Sequence, residues 1–288
     1  MLDLEYRLLQ LTRRNRDGAY ATQRDRRKIL SLVARQLYHT LNYRLPNECS
    51  LKPKHVVALV NHWQATVSVA AQKNRLAVLR WWAEKVGKGN IIPRTNARLG
   101  IGRRRYRPNV SKAVTNPEMA IARVQDPYVA MGLRLQQAFG LRREEAMKLR
   151  PQQADRRHYL ELKASWCKGG RARVIPIRTR EQRALLDDAK ALAKGGSLIP
   201  AYKSYRQQLH TWEYQTTRAG ISKTHGLRHA YAQQRYLELT GFKAPAAGGL
   251  RHSELTLEQQ QLDSAARQQI TQELGHHRLA ITNHYLGR

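Results

Sequence analysis

The sequence predicts a mainly α-helical protein with one small β-hairpin, an α+β fold divided into two domains. Apolar residues recur at helical spacing along most of the 288-residue chain. Only two short runs, residues 158–165 and 173–177, have a strand-like pattern, and a Gly-Gly turn lies between them. Residues 102–117, rich in arginine and proline, interrupt the helical pattern. These observations place a domain boundary before residue 117.

The first domain, residues 1–105, is predicted as a short N-terminal arm followed by helices at 24–38, 53–64 and 67–86. Pro53 suits the first turn of the second helix, and Gly87 and Gly89 end the third. The tryptophans of this part are predicted to pack in a core or interface, with base stacking as the alternative: Trp63, Trp81 and Trp82. The linker is predicted at residues 106–116. The arginines around it either contact phosphate groups or belong to a charged loop that faces solvent.

The second domain, residues 117–288, is predicted to hold most of the helices and the hairpin. The expected helices are 117–137, 142–149, 180–193, 204–218, 225–239 and 265–285, the last with a break near Gly275. The hairpin loop reads WCKGGRA, and Gly169 and Gly170 supply the positive φ angles of a tight turn. Residues 241–261 are expected to form an extended loop between helices.

The charge predicts a polyanionic partner. Lys and Arg number 52 against 21 Asp and Glu, which gives a formal net charge of +31. The first 115 residues are the more basic part, with 24 basic and 6 acidic side chains. A compact protein with this charge repels itself unless a polyanion binds. Nucleic acid is the leading candidate and an anionic membrane surface the second.

Other classes are disfavoured by composition. A hydrophobic content of 41% argues against a disordered basic tail. No apolar run approaches the roughly 20 residues that span a bilayer, and the N-terminus lacks the order of a signal peptide. Two cysteines, Cys49 and Cys167, fit a reducing compartment. We therefore expect a cytoplasmic, nucleoid-associated protein.

Residues 140–150, GLRREEAMKLR, contain the first candidate site. Gly140 breaks the preceding helix and Arg142 starts the next, and Glu145 follows one turn later on the same face. An arginine here can form bidentate hydrogen bonds to a phosphate, and a carboxylate can hold its neighbours in place. A surface ion pair would give the same pattern.

Residues 224–232, THGLRHAYA, contain the second candidate site. Arg228 supplies charge, and His225 supplies a hydrogen-bond donor or a general base near neutral pH. His225 and His229 also have the spacing of a helical zinc pair, but Gly226 stands where a zinc protease has glutamate. A helix capped by Thr224 around a core histidine remains the structural alternative.

Two further features carry reactive groups. Tyr285 follows His276 by nine residues, and a tyrosine is either an ordinary helix residue or a nucleophile that forms a covalent intermediate. Lys168 lies at the predicted hairpin tip, followed by Arg171 and Arg173. A lysine there either reaches into a groove or remains an exposed turn residue.

The order of these features resembles the tyrosine recombinase (phage integrase) family. GLRREE resembles its first arginine box, CKGGRARVIPI its lysine hairpin, HGLRHAYA its His-x-x-Arg box and LGHHRLAITNHY its terminal His-to-Tyr box. This resemblance covers about residues 117–288. Less specifically, QKNRLAVLRWWAEKVGK resembles the core-binding domain of integrase-domain proteins of bacterial mobile genetic elements. The implied architecture is an N-terminal helical core-type DNA-binding domain followed by a tyrosine-recombinase catalytic domain.

The resemblance implies a catalytic set and a mechanism. The set is Arg142, Glu145, Lys168, His225, Arg228, His276 and Tyr285. Arg142 and Arg228 would bind the non-bridging phosphate oxygens while Tyr285 attacks phosphorus to give a 3′-phosphotyrosine. Lys168 would protonate the departing 5′-oxygen, with His225 assisting. His276 would hydrogen-bond the phosphate and Glu145 would support Arg142 and His225. No cofactor or metal ion is implied, because arginines take the role of charge stabiliser.

The implied partner is double-stranded DNA, bound by a homotetramer on paired sites, with an accessory DNA-bending protein as a further candidate and no membrane. The expected DNA contacts are Lys73, Arg75, Arg80, Arg103, Arg104, Arg105, Arg171 and Arg173. A non-catalytic DNA-binding protein on the same fold is one alternative, which the filled catalytic positions disfavour. A topoisomerase-like enzyme is another, and the sequence does not separate it.

Two departures from the family pattern concern assembly. Many relatives continue past the tyrosine with a helix that docks on a neighbouring subunit, whereas three residues follow Tyr285 here. Contacts between subunits are therefore expected elsewhere. Residues 240–273 are also long for the family and read as an insertion that either gates the nucleophile or binds a partner.

Overall fold

The protein forms two compact units, Met1–Tyr106 and Arg107–Arg288. The computed structural model describes residues 1–104, 109–221 and 223–288. Each unit has its own hydrophobic core. Part of the predicted linker lies outside the described residues, as does Arg105, one of the expected DNA contacts.

Among its described residues, 1–104, the first unit contains four α-helices, and the three predicted from the sequence are confirmed. They are α1 (Asp3–Arg14), α2 (Tyr20–Arg35), α3 (Pro53–Thr66) and α4 (Val69–Lys85), and α2 continues into a π-helical turn at Gln36–Thr40. Trp63 and Trp82 are fully buried and Trp81 nearly so, which confirms the packing interpretation. Trp63 donates its indole N–H to Gln36 Oε1 at 2.9 Å, so its polar atom is satisfied inside the core.

Residues 3–14 form a helix where the sequence analysis expected a short arm. Leu4, Leu8 and Leu11 recur at helical spacing and are buried, and α1 packs on α2. Arg35 of α2 also donates to Glu5 at 2.8 Å. The apolar stripe makes this segment part of the core, because an unpacked arm would leave three leucines in water.

The second unit is built from nine helices and one hairpin among its described residues. The helices are α5 (Glu118–Ala122), α6 (Pro127–Phe139), α7 (Arg143–Lys148), α8 (Pro151–Ala154), α9 (Arg180–Ala193), α10 (Tyr205–Arg218), α11 (His225–Thr240), α12 (Leu257–Glu273) and α13 (Leu279–Leu286). The strands β1 (Tyr159–Leu162) and β2 (Arg173–Pro176) pair antiparallel, with Leu162 opposite Arg173. The predicted mainly helical α+β fold is thus confirmed.

Two predicted elements differ in extent. The helix expected at 117–137 is divided into α5 and α6, because Asp126 caps the Val129 N–H at 3.0 Å and Pro127 starts a new helix. The last predicted helix begins at Leu257, eight residues early, because Thr256 and Gln259 form a capping box. The expected loop at 241–261 therefore ends at residue 256.

Helix α11 lies at the centre of the second unit and packs against α6, α12 and α13. Its side chains Leu227, Ala232 and Tyr236 are fully buried. The segment before α5 packs beside its first turn, where Val114 N–H donates to the Gly226 carbonyl at 3.2 Å. A β-carbon at Gly226 would lie 2.5 Å from Val114, so only glycine permits this approach. The start of α11, with His225 and Arg228, is thereby fixed in place.

Candidate active site

Tyr285 lies at the centre of a cluster of basic side chains. It is carried by α13, is only 6% exposed, and keeps its hydroxyl group toward α11. The His225 Nε2 atom is 3.0 Å from the Tyr285 hydroxyl oxygen, and the Arg228 Nε–H donates to the same oxygen at 3.4 Å. Three residues from two of the predicted motifs therefore meet at one phenol.

Arg228 is completely buried and is held by backbone carbonyls. Its guanidinium donates to the carbonyl oxygens of Gly140 and Leu274, which precede α7 and follow α12. Gly140 has a φ of +60°, and a β-carbon there would lie 2.5 Å from the ring of Tyr231. Burial, followed by repulsion from Arg142, lowers the pKa of Arg228 to about 10, so the group stays charged at neutral pH.

Three arginines converge on the carboxylate of Glu145. Arg142 donates to it at 2.8 Å, Arg173 makes two hydrogen bonds at 3.0 and 2.7 Å, and Arg228 lies 3.9 Å away. Burial alone would raise the pKa of Glu145, but the hydrogen bonds from Arg173 and the charges of all three arginines outweigh it and lower the pKa to about 2. Glu145 is therefore ionised and partly neutralises the cationic site.

Arg173 has a position that the sequence analysis missed. It was expected to contact DNA, but its guanidinium is buried between Glu145 and the Glu273 carbonyl, to which Nε donates at 2.9 Å. It thus ties β2 to α7 and to the end of α12. A buried residue at the first position of the second strand would normally be apolar, so an arginine there was the available signal for a buried partner.

His276 lies behind the site, between Arg228 and α13. Its ring stacks on Tyr285 at 5.0 Å, its Nε2 atom is 3.3 Å from Arg228 Nη2, and its Nδ1 atom is 2.9 Å from the Thr282 hydroxyl oxygen. Burial, followed by the charge of Arg228, lowers the pKa of His276 to about 3. His276 is thus neutral, and both of its nitrogens already have protein partners.

His229 stacks on Tyr285 and contacts His225 edge-on. The sequence alone had predicted it only as a metal ligand or a core residue. Its ring lies 4.3 Å from the Tyr285 ring and meets His225 edge-on at 5.5 Å. Burial, followed by the charge of His225, lowers the pKa of His229 to about 4. Thr224 precedes α11 without donating or accepting a side-chain cap bond. Within residues 1–104, 109–221 and 223–288, no cluster of three His, Cys, Asp or Glu side chains could hold a metal ion.

Lys168 is the one member of the predicted catalytic set that the described contacts do not join to the others. It is exposed in the loop between β1 and β2. Its neighbour Cys167 faces inward, and the Cys167 sulfur accepts from Arg173 at 3.4 Å. The hairpin is therefore anchored at the site by Cys167 and Arg173 while Lys168 extends from it into solvent.

A cleft of about 680 Å³ opens next to the cluster. It is lined by the segment before α5 and by the start of α11, including Lys112, Lys223, His225 and His229. A larger groove of about 900 Å³ lies along α6, α9 and α11 and contains none of the predicted catalytic residues. We assign the chemistry to the smaller cleft because it is lined by His225, which contacts the Tyr285 hydroxyl, and by His229, which stacks on the Tyr285 ring.

The expected DNA contacts differ in exposure. Arg103, Arg104 and Arg171 are exposed, and Lys73 is half-buried. Arg75 and Arg80 are half-buried as well: the Arg75 guanidinium lies over Trp63, and Arg80 donates to the Pro93 carbonyl at 2.7 Å. In the described part of the chain, no helix is both long and apolar enough to cross a membrane.

Two family models match the chain. Residues 1–92 match the model described as phage integrase, N-terminal, and residues 102–234 match the model described as integrase. No curated protein matches the chain by sequence.

Solved structures of similar fold span nearly the whole chain. The XerH site-specific recombinase on a palindromic difH substrate, in a post-cleavage complex, is 15% identical with a TM-score of 0.62, covering 99% of this chain and 81% of that one. A lambda integrase dimer bound to a COC′ core site is 16% identical with a TM-score of 0.61, covering 98% and 78%. The Tn1549 transposon integrase with transposon right-end DNA is 11% identical with a TM-score of 0.55, covering 98% and 95%.

These structures establish the fold, and the family matches establish its lineage. The two models together span residues 1–234 except for a short gap, and they meet the chain in the order expected of an integrase. The chain therefore has the fold of the XerH recombinase and lambda integrase and belongs to the phage integrase family.

Proposed function

We propose that the protein is a site-specific DNA recombinase that cleaves and rejoins duplex DNA through a 3′-phosphotyrosine at Tyr285. The observation that carries this proposal is the Tyr285 hydroxyl, which meets His225 at 3.0 Å and Arg228 at 3.4 Å within a buried arginine cluster. A phenol needs a nearby base and positive charge to act as a nucleophile. His225 supplies the base and Arg228 the positive charge, and both contact the Tyr285 hydroxyl oxygen.

The hydrogen-bond roles support His225 as the base for Tyr285. The Arg228 guanidinium can only donate, so it occupies a lone pair of the phenol oxygen and leaves the phenol proton free. In the His225 tautomer whose Nε2 atom carries no hydrogen, the phenol donates that proton to Nε2 across 3.0 Å. Burial, followed by the charges of Arg228 and Arg142, lowers the pKa of His225, which keeps its ring neutral and able to accept a proton at neutral pH.

The residues of the site account for the bonds and the protons of the transfer step. The Tyr285 oxygen forms a bond to phosphorus, and the bond from phosphorus to the 5′-oxygen breaks. Arg142 is the more accessible guanidinium, with 24% of its side chain exposed, and with Arg228 it stabilises the charge on the non-bridging oxygens. Lys168 supplies the proton to the departing 5′-oxygen. A 5′-hydroxyl from a partner duplex reverses the attack and completes strand exchange.

The proposal extends to domains, partners and biological setting. Residues 1–105 would be a core-type DNA-binding domain, 106–116 a linker, and 117–288 the catalytic domain. Lambda integrase has been solved as a dimer on a core site and as a tetramer on a Holliday junction. By that likeness we propose a homotetramer on paired duplex sites, acting in the cytoplasm at the nucleoid, to integrate or excise a mobile element. An accessory DNA-bending protein is a further candidate partner.

A suicide-substrate assay tests the nucleophile. The wild-type protein should form a covalent adduct with nicked duplex carrying a candidate core site, and mass spectrometry should map it to Tyr285. Tyr285→Phe should bind the same DNA and form no adduct, because the ring stays stacked on His229 while the hydroxyl is lost. Tyr214→Phe, which removes an exposed phenol from α10, is the matched control.

The products separate the proposal from its competitors. An adduct in Tyr285→Phe would refute the assigned nucleophile. Binding without any adduct in the wild type would indicate a non-catalytic DNA-binding protein. Joined products that never contain a new partner strand would indicate a topoisomerase-like enzyme.

A further inference from the structure

A line of hydrogen bonds leads from His276 away from the reacting phenol. His276 Nδ1 is 2.9 Å from the Thr282 Oγ1 atom, which is 2.6 Å from the Thr271 Oγ1 atom. Thr271 in turn donates to the Arg267 carbonyl at 2.7 Å. Both threonine hydroxyls are buried, so water cannot substitute for a missing partner. The line joins the turn after α12, helix α13 and helix α12.

The far end of this line fixes the direction of every bond. A carbonyl oxygen only accepts, so the Thr271 hydroxyl donates its one hydrogen to the Arg267 carbonyl oxygen. The proton between the two threonine oxygens therefore comes from Thr282. Thr282 then has no proton left for His276, and the Nδ1 atom of His276 must carry the hydrogen.

The near end of the line requires the same arrangement. An arginine guanidinium has donors and no acceptor, so His276 Nε2 accepts from Arg228 Nη2. A neutral imidazole has one donor and one acceptor nitrogen, and the two ends assign them without conflict. His276 is thus a neutral Nδ1–H tautomer whose acceptor nitrogen faces Arg228.

This assignment conflicts with the role that the family resemblance implied. A nitrogen that accepts from Arg228 carries no hydrogen to donate to a phosphate oxygen. Burial and the surrounding cations also oppose a second proton on the ring, since the pKa of His276 is lowered to about 3. The ring therefore acts on the arginine, whose Nε–H in turn faces the Tyr285 hydroxyl.

We propose that Thr271 and Thr282 are positioning residues that fix the tautomer of His276, so that His276 holds Arg228 against Tyr285 as a hydrogen-bond acceptor. The inference rests on the proposed recombinase function and assigns roles to two threonines within it. Thr282 lies one helical turn before Tyr285 on α13. The line is therefore complete only while the helix that carries the nucleophile is docked on α12.

The tautomer can be measured on the full-length protein. Long-range ¹H–¹⁵N spectra of protein labelled with ¹⁵N-histidine distinguish the two neutral tautomers, and His276→Gln identifies the His276 signals by their loss. We expect the Nδ1–H form with its hydrogen protected from exchange. An Nε2–H form in the wild-type protein would overturn the proposal.

Substitutions test whether the line matters to catalysis. Thr282→Val removes the hydroxyl at nearly constant volume, and Thr282→Ser keeps it. We expect Thr282→Val to slow single-turnover cleavage of bound suicide substrate by roughly tenfold or more while the DNA Kd is unchanged, because a buried donor loses its partner. Thr282→Ser should restore both the rate and the protected Nδ1–H signal.

Thr271 provides the sharper case because its side chain bonds neither His276 nor Tyr285. Its backbone carbonyl accepts from the His276 N–H at 2.9 Å, and side-chain substitution leaves that carbonyl in place. Thr271→Val should also slow cleavage and expose the His276 Nδ1 hydrogen to exchange, and Thr271→Ser should rescue both. Thermal unfolding separates this from a folding defect, since each valine variant should lose only several degrees of Tm and stay folded at the temperature of the cleavage assay. Valine variants that cleave at the wild-type rate would refute the proposed roles.

The two proposals fail in different ways. If wild-type protein forms no adduct, the recombinase function is refuted while the tautomer measurement remains interpretable. If wild-type protein forms the adduct and the valine variants form it equally fast, only the positioning roles are refuted.

Discussion

Glu145 shows how one carboxylate makes a cluster of arginines tolerable. Arg142, Arg173 and Arg228 lie within 4 Å of it or are hydrogen-bonded to it, and the Glu145 side chain is fully buried. Removing one member of such a group leaves a buried charge without its partner, which costs far more than a surface pair. The carboxylate therefore stabilises the folded site, in which the arginines are proposed to bind phosphate.

The Glu145 ion pairs predict a specific pH dependence of stability. The folded pKa is about 2 against an ordinary value of 4.5, so the stabilisation is present above about pH 4.5 and is lost as the pH falls toward 2. Glu145→Gln should therefore lower the free energy of unfolding by roughly 3 kcal/mol at pH 7, and by progressively less below pH 4.5. Urea unfolding across this range measures it.

Glu144→Gln is the matched control, because Glu144 is exposed and paired with Lys148 at the surface. Its effect should be about 0.5 kcal/mol or less at every pH. A Glu145→Gln effect that does not change between pH 7 and pH 3 would contradict the assigned network.

His229 predicts a second loss of stability in acid, at higher pH than the loss that Glu145 predicts. Its folded pKa is about 4 because it is buried beside other basic groups: His225, Lys112, Arg228 and His284. Since an unfolded histidine takes up its proton near pH 6.5, stability is lost as the pH falls from 6.5 toward 4. His229→Phe keeps a ring stacked on Tyr285 and removes the titrating group. Between pH 6.5 and 4, the free energy of unfolding of this variant should therefore decrease by up to about 1.4 kcal/mol less per pH unit than that of the wild type.

His158→Gln is the control for this measurement, because His158 is exposed and far from the site in sequence. It should leave the slope of stability against pH unchanged between pH 6.5 and 4. If His229→Phe and the wild type lose stability in parallel, His229 is protonated in the folded protein and its assigned environment is wrong.

The residues of the site divide into those a sequence can reveal and those it cannot. Arg142, Glu145, His225 and Tyr285 stand in motifs whose order predicted a common site, and the structure brings them together. Arg173 and the two threonines were missed. Their partners lie on other elements, so the sequence does not show which carboxylate or hydroxyl each of them contacts.

At the scale of elements, the site is assembled where helices end. Arg228 is bound by the carbonyl of Gly140, which ends α6, and by that of Leu274, which ends α12. Carbonyls at a helix C-terminus have no partner within the helix and carry partial negative charge. Two such ends directed at one guanidinium stabilise its buried charge without a further carboxylate.

Gly275 predicts how sensitive this arrangement is to a single β-carbon. Its φ is +62°, and a β-carbon there would lie 2.8 Å from the Arg173 side chain. Gly275→Ala should cost about 1–2 kcal/mol for the left-handed backbone and about 1–3 kcal/mol more for the clash. It should also slow cleavage, because displaced Arg173 no longer holds Glu145. Chemical denaturation and the suicide-substrate rate measure the two effects.

Gly220→Ala isolates the contribution of the clash. Gly220 has a φ of +78°, and a β-carbon there would meet nothing within 4 Å. This variant should show the backbone cost alone and cleave DNA at the wild-type rate. Equal destabilisation by the two substitutions would mean that Arg173 can move aside at little cost.

Element boundaries were predictable where local chemistry decides them. Arg180–Ala193 was located to the residue, because Thr179 forms a capping box with Gln182. The earlier start of α12 had the same local signal in Thr256 and Gln259, which the glycine-rich stretch before it obscured. By contrast, α1 was missed although Leu4, Leu8 and Leu11 recur at helical spacing. Its packing on α2 shows that this stripe faces the core of the unit.

At the scale of the whole molecule, the basic residues behind the net charge of +31 divide into buried ones and exposed ones. The second unit places three arginines around Glu145, where they are held by buried contacts. In the first unit, Arg75 and Arg80 are also half-buried against Trp63 and the Pro93 carbonyl, which limits their reach to a phosphate. Arg103 and Arg104 are exposed and are the better candidates for contacts with DNA.

Arg103 and Arg104 therefore predict a change in the salt dependence of DNA binding. Each phosphate contact releases counterions, which contributes about 0.9 to the slope of log affinity against log salt concentration. The double substitution Arg103→Gln, Arg104→Gln should flatten that slope by about 1.8 if both side chains bind phosphates. Arg103→Lys with Arg104→Lys keeps both charges and should leave the slope unchanged. Titrations between 50 and 300 mM salt, with Tyr285→Phe to prevent cleavage, measure it. A slope unaltered by the glutamine pair would remove these two arginines from the interface and leave the positive charge there to other residues.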